Sequence, residues 1–371
     1  MRVLSVQMRD FRTYARADAQ LGASLTVVHG PNGAGKSNLL EAIYFGCTAR
    51  SPRTRNEREL VRFGASAMRV VVRVEDERER HELSAGLQKH GEGRVEKVIA
   101  RDGAPLDRPL ESGQRPLLSV FAPDRLELVK GAPTLRRAHL DQFVSGLWPA
   151  RAAARREYAR VLAQRNALLG RIRTGSASRA TISTWDRELA HSALALSADR
   201  AAAVELLEQQ FARQARQLGC QGELAVEYRP RSRVREEDEF VAELQSRLAA
   251  DLERGYTGHG PHRDELAIAR EGRELRVFGS QGEQRVALLA LLLAERAALE
   301  QQRRRMPLML LDDVMSELDS ERRELLAAEL SRDGQSVIAT TDLGHVPGAG
   351  EAHVTRLRVS PGTVLGEAVA A

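Results

Sequence analysis

The chain has 371 residues, 42% of them hydrophobic, with a formal net charge of +5 and a sequence pI near 9.5. That length predicts two lobes, and the core-forming content excludes a disordered chain. No apolar run is long enough for a membrane span, and the amino terminus lacks the apolar segment of a secretion signal. The two cysteines, Cys47 and Cys220, are too few and too far apart for a disulfide framework or a metal site. The expectation is a cytoplasmic protein without a membrane partner, whose modest basicity permits a polyanionic one.

In chain order, residues 2–9 alternate like a strand and residues 25–28 form a short apolar run, separated by a polar stretch containing Phe11 and Tyr14. Gly30-Pro31-Asn32-Gly33-Ala34-Gly35-Lys36-Ser37 follows and fits G-x-x-x-x-G-K-[ST]; it leads through Asn38 into a helix ending near residues 47–49. Strand, glycine loop and helix is the order a phosphate cradle requires. Backbone N–H groups turn toward the anion, Lys36 reaches the outer phosphates, and the Ser37 hydroxyl meets Mg²⁺. The chain has only four lysines, Lys36, Lys89, Lys97 and Lys130, so a lysine here among so many arginines fits a need for a compact point charge. The cofactor expected is a nucleoside triphosphate with Mg²⁺.

A basic loop with Arg50, Arg53 and Arg55 comes next, then strands at 67–74, 81–87 and 95–101, a β-rich addition to the nucleotide-binding lobe. From about 150 to 218 the composition turns to Arg, Ala, Leu, Glu and Gln with apolar residues three and four apart. A break at 173–178 predicts two long helices folded back on each other. A strand at 224–228 and a helix at 240–254 follow. Further strands are expected at 264–269 and 274–278, a helix at 281–302, a strand at 308–311, a helix at 320–330, and strands at 336–340 and 354–359. The terminal parts are α/β with a helical lobe between them: 1–115 and 256–371 for the ATPase lobe, 116–255 for the insertion.

Leu308-Met309-Leu310-Leu311-Asp312-Asp313 is a continuous apolar run ending in two acids, as a buried parallel strand reads, and its carboxyl end is where such sheets bind ligands. Asp312 is the expected second anchor of the metal shell, and Asp313 the group that orients or deprotonates an attacking water. An apolar strand ending in aspartate is common and usually structural; a phosphate loop in the same chain gives this one its meaning. Ser280-Gln281-Gly282-Glu283-Gln284 opens the helix before that strand and offers a second anion-binding helix end. Ser316-Glu317-Leu318-Asp319 precedes the next helix. Either segment taken singly reads equally well as a capping box.

Taken together, these segments resemble the ABC-type ATPase heads of the SMC class, mixed sheets with helices and an inserted α-helical lobe. Within that class, residues 123–141, Gly260-Pro261-His262-Arg263-Asp264 and Thr340-Thr341-Asp342 resemble the RecF family of bacterial recombinational repair proteins, essentially end to end. The resemblance implies an ATP-dependent homodimer acting on DNA at gaps and junctions, with slow ATP hydrolysis, helping RecO and RecR load recombinase and supporting the SOS response. In it, residues 280–284 of one subunit would act across the dimer, and Ser316, Glu317, Leu318 and Asp319 would form the D-loop. Two alternatives are an SMC-like scaffold that binds ATP without turnover, and a P-loop ATPase-nuclease or phosphotransferase. The chain departs from most such heads in having Asp312-Asp313 where they have Asp-Glu. No histidine stands at the switch position, which holds Thr341 or Asp342, and Ala122-Pro123-Asp124 carries no glutamine. Arg50, Arg53, Arg55, Arg136, Arg137 and Arg263 are the candidates for phosphate contacts. With aromatic residues at 4%, DNA is expected to be read through its backbone with little sequence preference and steep salt dependence.

Overall fold

The computed structural model describes residues 1–76, 79–90, 94–110 and 113–367; the side chains of Pro123 and Asp124 lie outside that description. The described chain divides into two compact units. Unit 1 comprises 1–126, 215–220 and 299–367, and unit 2 comprises 127–214 and 221–298. No helix is long and apolar enough to cross a membrane among the described residues.

Unit 1 opens with β1 (Arg2–Phe11), β2 (Tyr14–Gln20), β3 (Leu25–His29) and α1 (Lys36–Thr48). Strands β4 (Ala67–Asp76), β5 (Glu79–Lys89), β6 (Val95–Arg101), β7 (Ala104–Leu106) and β8 (Leu118–Phe121) follow. One antiparallel sheet has the order β2-β1-β4-β5-β6-β7. On β4 the even-numbered residues Met68, Val70, Val72 and Val74 are buried, the period of two that reads as a half-buried strand. Gly46 of α1 sits over them: a Cβ there would lie 2.3 Å from the Val72 side chain, so only glycine lets helix and sheet approach this closely. The stretch around Phe11 and Tyr14, expected to be polar connection, is instead the tight turn of the β1–β2 hairpin, with both rings fully buried.

The chain runs through unit 2 before returning. That unit holds α2 (Glu127–Lys130), α3 (Pro133–Leu147), α4 (Ala152–Arg173), most of α5 (Ile182–Gln217), β9 (Leu224–Arg229), α6 (Glu237–Ser246) and α7 (Leu248–Arg254). Also in it are β10 (Glu265–Arg270), β11 (Arg273–Glu274), α8 (Leu275–Phe278) and most of α9 (Gln281–Arg303). Two long helices separated by the break at 173–178 are present as expected. Residues 274–278 are not a strand: only Arg273 and Glu274 pair with β10, and the next four residues coil into α8. Their apolar residues do not alternate in burial, since Leu275 is buried while Val277 and Phe278 are 62% and 69% exposed. Residues 256–298, grouped with the ATPase lobe on the expected boundaries, cluster with the helical unit because β10 takes its backbone hydrogen bonds from β9.

Unit 1 closes with β12 (Leu308–Asp312), α10 (Ser320–Arg332), β13 (Ser336–Thr340), β14 (Thr355–Ser360) and β15 (Thr363–Glu367). Its second sheet has the order β15-β14-β3-β13-β12-β8, parallel from β14 to β8 with β15 an antiparallel edge. Leu308, Met309, Leu310 and Leu311 are all buried, as a strand covered on both faces must be.

Two buried polar clusters hold unit 2. Arg165, wholly buried, donates to Asp186 (2.8 Å), Asp251 (3.0 Å) and Thr257 Oγ1 (2.7 Å). Arg200 donates in a fork to Asp141 (2.8 and 3.1 Å) and to Pro261 O (2.7 Å) and Asp264 (3.1 Å). His262 lies between Tyr158 (2.6 Å to its hydroxyl) and the Thr257 carbonyl (2.9 Å), a structural place rather than a phosphate-binding one.

Removing Arg165 leaves two buried carboxylates unpaired. Arg165→Ala should cost about 3–5 kcal/mol, read as a shift of the denaturant midpoint monitored on the helical signal. Burial, reinforced by the Arg263 and Arg137 charges, holds the His262 imidazolium below the ordinary histidine range despite its bond to Thr257. The unfolded chain therefore takes up a proton first, and stability is lost as pH falls through about 6.5 toward the depressed folded value. Melting curves across that window should show a smaller acid-side loss for His262→Gln than for the native chain.

Candidate nucleotide site

Strand β13 lies between β3 and β12, both pairings are parallel, and the registers place Thr340 opposite His29 and Ala339 opposite Asp312. The phosphate loop and the acidic pair therefore leave the sheet at the same edge. The loop itself is built on glycine: Gly30, Gly33 and Gly35 have φ of 154°, 77° and 117°. At Gly30 a Cβ would lie 2.2 Å from the Val359 carbonyl oxygen, and at Gly35 one would lie 2.8 Å from the Tyr14 hydroxyl, which donates to Gly35 O at 2.9 Å. α1 starts at Lys36 with no acidic residue in its first turn and no side chain capping it. Its first N–H groups therefore face the loop's concavity without a built-in competitor.

Lys36, buried, donates to Gly30 O (2.8 Å) and Pro31 O (3.0 Å), which curls the ammonium back over the loop. Burial pulls its pKa down, opposed by the charges of Asp313 and Asp312. The Ser37 hydroxyl donates to Asp312 Oδ1 at 2.9 Å, across 275 residues of sequence. Burial pushes the Asp312 carboxyl above the ordinary aspartate range, with Ser37 and the Arg53 charge pulling the other way. Asp313 holds a left-handed φ of 53°, its N–H donates to Ala339 O (3.0 Å), and its Oδ1 is buried without a hydrogen-bond partner. A serine hydroxyl touching one carboxylate, with a second carboxylate oxygen buried and unsatisfied beside it, is a donor set suited to a hard divalent cation.

Behind the loop stands a group that sequence reasoning missed. Glu41, fully buried on the otherwise apolar face of α1, receives Arg12 in a fork (2.9 and 2.9 Å), Ser51 (2.6 Å) and Arg53 (3.2 Å). Arg53 also donates to Asn38 Oδ1 (3.0 Å), and Asn38 in turn donates to Thr13 Oγ1 (3.0 Å). The signal was present in Leu39-Leu40-Glu41-Ala42-Ile43: a charge inside a buried run demands a partner. Arg50 and Arg55 are exposed on the same loop. After β12, the Ser316 hydroxyl donates to Asp313 O (2.8 Å), and Asp319 caps α10 by accepting from Arg322 N (2.9 Å). Met315, between them, and Leu318 are buried, whereas Glu317 is partly exposed.

In unit 2, the start of α9 forms a reciprocal capping box. Glu283 accepts from Ser280 N (2.7 Å) and Ser280 Oγ accepts from Glu283 N (3.3 Å), while Glu283 also pairs with Arg270. Gln284 is buried and donates to Leu275 O (2.9 Å) and Gly279 O (3.1 Å), fixing the turn before the helix. The N–H groups of Gln281 and Gly282 have no acceptor within the helix, and nothing lies within 4 Å of the Cβ position of Gly282. Capping and an open anion-facing end therefore coexist here. Among the arginine candidates, Arg136 is buried and its guanidinium is committed to Glu265 (2.7 and 2.9 Å) and Gly131 O (2.8 Å). Arg137 donates to Asp264 O (2.8 Å), whereas Arg263 is exposed.

Comparison with known proteins gives one consistent answer. The family model described as RecF/RecN/SMC N terminal domain matches residues 2–357. The DNA replication and repair protein RecF of Heliobacterium modesticaldum is 36% identical over 353 residues, 92% of this chain and 93% of its own. A solved structure of the recombination mediator protein RecF with ATP in the RecFOR pathway superposes with a TM-score of 0.85 at 27% identity, covering 99% of this chain and 97% of that one. The Smc head of Pyrococcus furiosus bound to a ScpA domain shares the fold at a TM-score of 0.57 and 15% identity, over 99% and 96% of the two chains.

The half-buried Asp312, with its pKa raised by desolvation, costs the protein stability at neutral pH. Asp312→Asn keeps an acceptor for Ser37 and should raise the melting temperature by a few degrees, read in thermal melts at neutral pH.

Proposed function

The chain belongs to the RecF/RecN/SMC family and, within it, to RecF, and from that premise we propose an ATP-switched DNA-binding protein of replication and recombinational repair. The observation that carries this reading is the Ser37–Asp312 contact at the sheet edge where the glycine loop ends. In the proposed site the N–H groups of the 30–37 loop and the start of α1 hold the β- and γ-phosphates of ATP. Lys36 exchanges its bonds to Gly30 O and Pro31 O for phosphate oxygens. Ser37 and Asp312 would hold Mg²⁺, which would supply positive charge to offset that of the phosphates. Asp313, with a free carboxylate oxygen, orients a water and takes its proton. Its carboxylate is one methylene shorter than the glutamate common at this position, which favours slow turnover, the behaviour of a switch.

The second half of the proposed site comes from another copy of the chain. The helix start at Gln281 and Gly282, open at Gly282, and the Ser280 hydroxyl would face the γ-phosphate held by the partner subunit, so ATP closes a homodimer. Ser316, Glu317, Leu318 and Asp319 follow the acidic strand and would line the contact between copies. DNA lies against arginines of the closed dimer, with Arg50, Arg53 and Arg55 on the loop beside the phosphate site and Arg263 in unit 2 the better-exposed candidates. By likeness to RecF of the RecFOR pathway, RecO and RecR are the partners through which recombinase is loaded at gaps and junctions.

Sedimentation velocity and fluorescence anisotropy on native chain, Lys36→Ala and Ser280→Arg provide the test. Native chain should dimerise and bind duplex with ATP. Lys36→Ala should lose nucleotide binding, and Ser280→Arg should bind ATP yet remain monomeric, with DNA affinity in ATP reduced at least about tenfold. Normal dimerisation of Ser280→Arg would sink the across-dimer role, and a phosphorylated small-molecule product would sink the switch.

A further inference from the structure

Unit 2 contains an open cavity of about 360 Å³ lined by Arg231, Arg254, Tyr256, Gly258 and Arg263. Several surface arginines of the unit end on a carboxylate, as Arg151 does on Asp199 and Arg229 on Glu227 and Glu274. The guanidinium groups of these three make no ion pair among the described residues. Two acids near them in the chain, Asp251 and Asp264, are already spent. Asp251 is bonded to Arg165 and to Gly258 N (2.9 Å), and Asp264 to Arg200, Tyr228 and the backbone N–H of Arg231 (2.7 Å). The Arg263 charge adds to burial in holding the His262 imidazole below its ordinary range.

The cavity is held rather than incidental. Gly255 ends α7 with φ of 78°, and Thr257 donates through its N–H (2.8 Å) and hydroxyl (2.7 Å) to Asn166. Arg165 donates to the Thr257 hydroxyl, and Gly258 hangs from Asp251. The loop is thus tied at 257 and 258 to the buried polar cluster of the helical lobe. Gly258 leaves room for Arg254, whose Nη1 is 2.6 Å from where a Cβ would stand. Tyr256, between these anchors, is 43% exposed, and the Arg263 guanidinium lies 5.7 Å from its ring centre.

Three arginine forks without a carboxylate partner among the described residues, beside a part-exposed aromatic ring, match a phosphate together with a base that can stack. We infer that this cavity binds the phosphate and the unpaired base of a single nucleotide, at a place separate from the 30–37 loop. A duplex keeps its bases covered and offers the ring nothing, so the occupant is an unpaired residue of a nucleic-acid strand or a free nucleotide. The inference extends the DNA-binding reading to a particular place and chemistry, and it does not depend on the ATP switch.

The test titrates full-length native chain, Arg231→Ala/Arg254→Ala, Tyr256→Ala, Tyr256→Phe and Lys36→Ala with labelled single-stranded oligothymidylate, and with blunt duplex of the same length. The arginine pair and Tyr256→Ala should each weaken single-strand binding about tenfold, Tyr256→Phe should restore it, and duplex binding should stay within about twofold. The slope of log affinity against log salt should fall by about 1.4 for the arginine pair, at about 0.7 per released counterion. Lys36→Ala should retain single-strand binding, so a failed ATP switch and a failed cavity assignment read differently. Competition by thymidine monophosphate at its own measured affinity would place a free nucleotide in the cavity, and strand binding without such competition would place DNA there. Unchanged single-strand affinity in both cavity variants, or Tyr256→Phe as weak as Tyr256→Ala, overturns the inference.

Discussion

Strand β13 is hydrogen-bonded to β3 on one side and β12 on the other, and both pairings run parallel. Everything in the proposed ATP site follows from that pairing. Parallel neighbours end at the same edge, so the loop after β3 and the acids after β12 are delivered together although the chain makes a whole second unit between them. The 2.9 Å bond from Ser37 to Asp312 is the result, a local contact made by a global topology. A slip of one residue in the β12–β13 pairing would turn Asp312 to the opposite face of the sheet and abolish it.

Holding charge at that edge has a cost which the surrounding residues offset unevenly. Lys36 and Asp312 are both destabilised as ions by burial, and each is partly restored by the other's charge. Glu41 is treated differently: two arginines and a serine converge on it, so it is a finished structural anchor. Asp313 stands at the other extreme, with a buried oxygen that no residue satisfies. The gradient from finished to unfinished separates the residues that build the site from those left to act on something that enters it.

Much of this was legible in the chain because it is written locally. The glycine loop, the apolar strand ending in two aspartates and the two long helices each declare themselves within a dozen or two residues. Their signals are spacing, composition and periodicity, which the fold does not alter. What was illegible depends on distant partners. The β1–β2 turn looked polar because Phe11 and Tyr14 are isolated apolar residues whose burial is decided by α1 and by Gly35. Residues 274–278 looked like a strand, yet β10 offers them a partner for two residues only. Arg136 looked like a phosphate ligand, and nothing near it in sequence reveals that Glu265 occupies it. The cationic cavity was equally hidden, since Arg231, Arg254 and Arg263 meet only once the chain is folded.

The position of β3 has a further consequence, for synthesis. Its neighbours on both sides, β13 and β14, come from residues 336–340 and 355–360, far later in the sequence. A ribosome adding roughly 5–20 residues each second makes the phosphate-loop strand tens of seconds before either neighbour exists. During that interval the nascent chain has the glycine loop in sequence but no sheet to hold it open. A product released early, by truncation or stalling, would carry the nucleotide motif and lack its supporting edge. Translation through β14 thus becomes a condition for assembling the site.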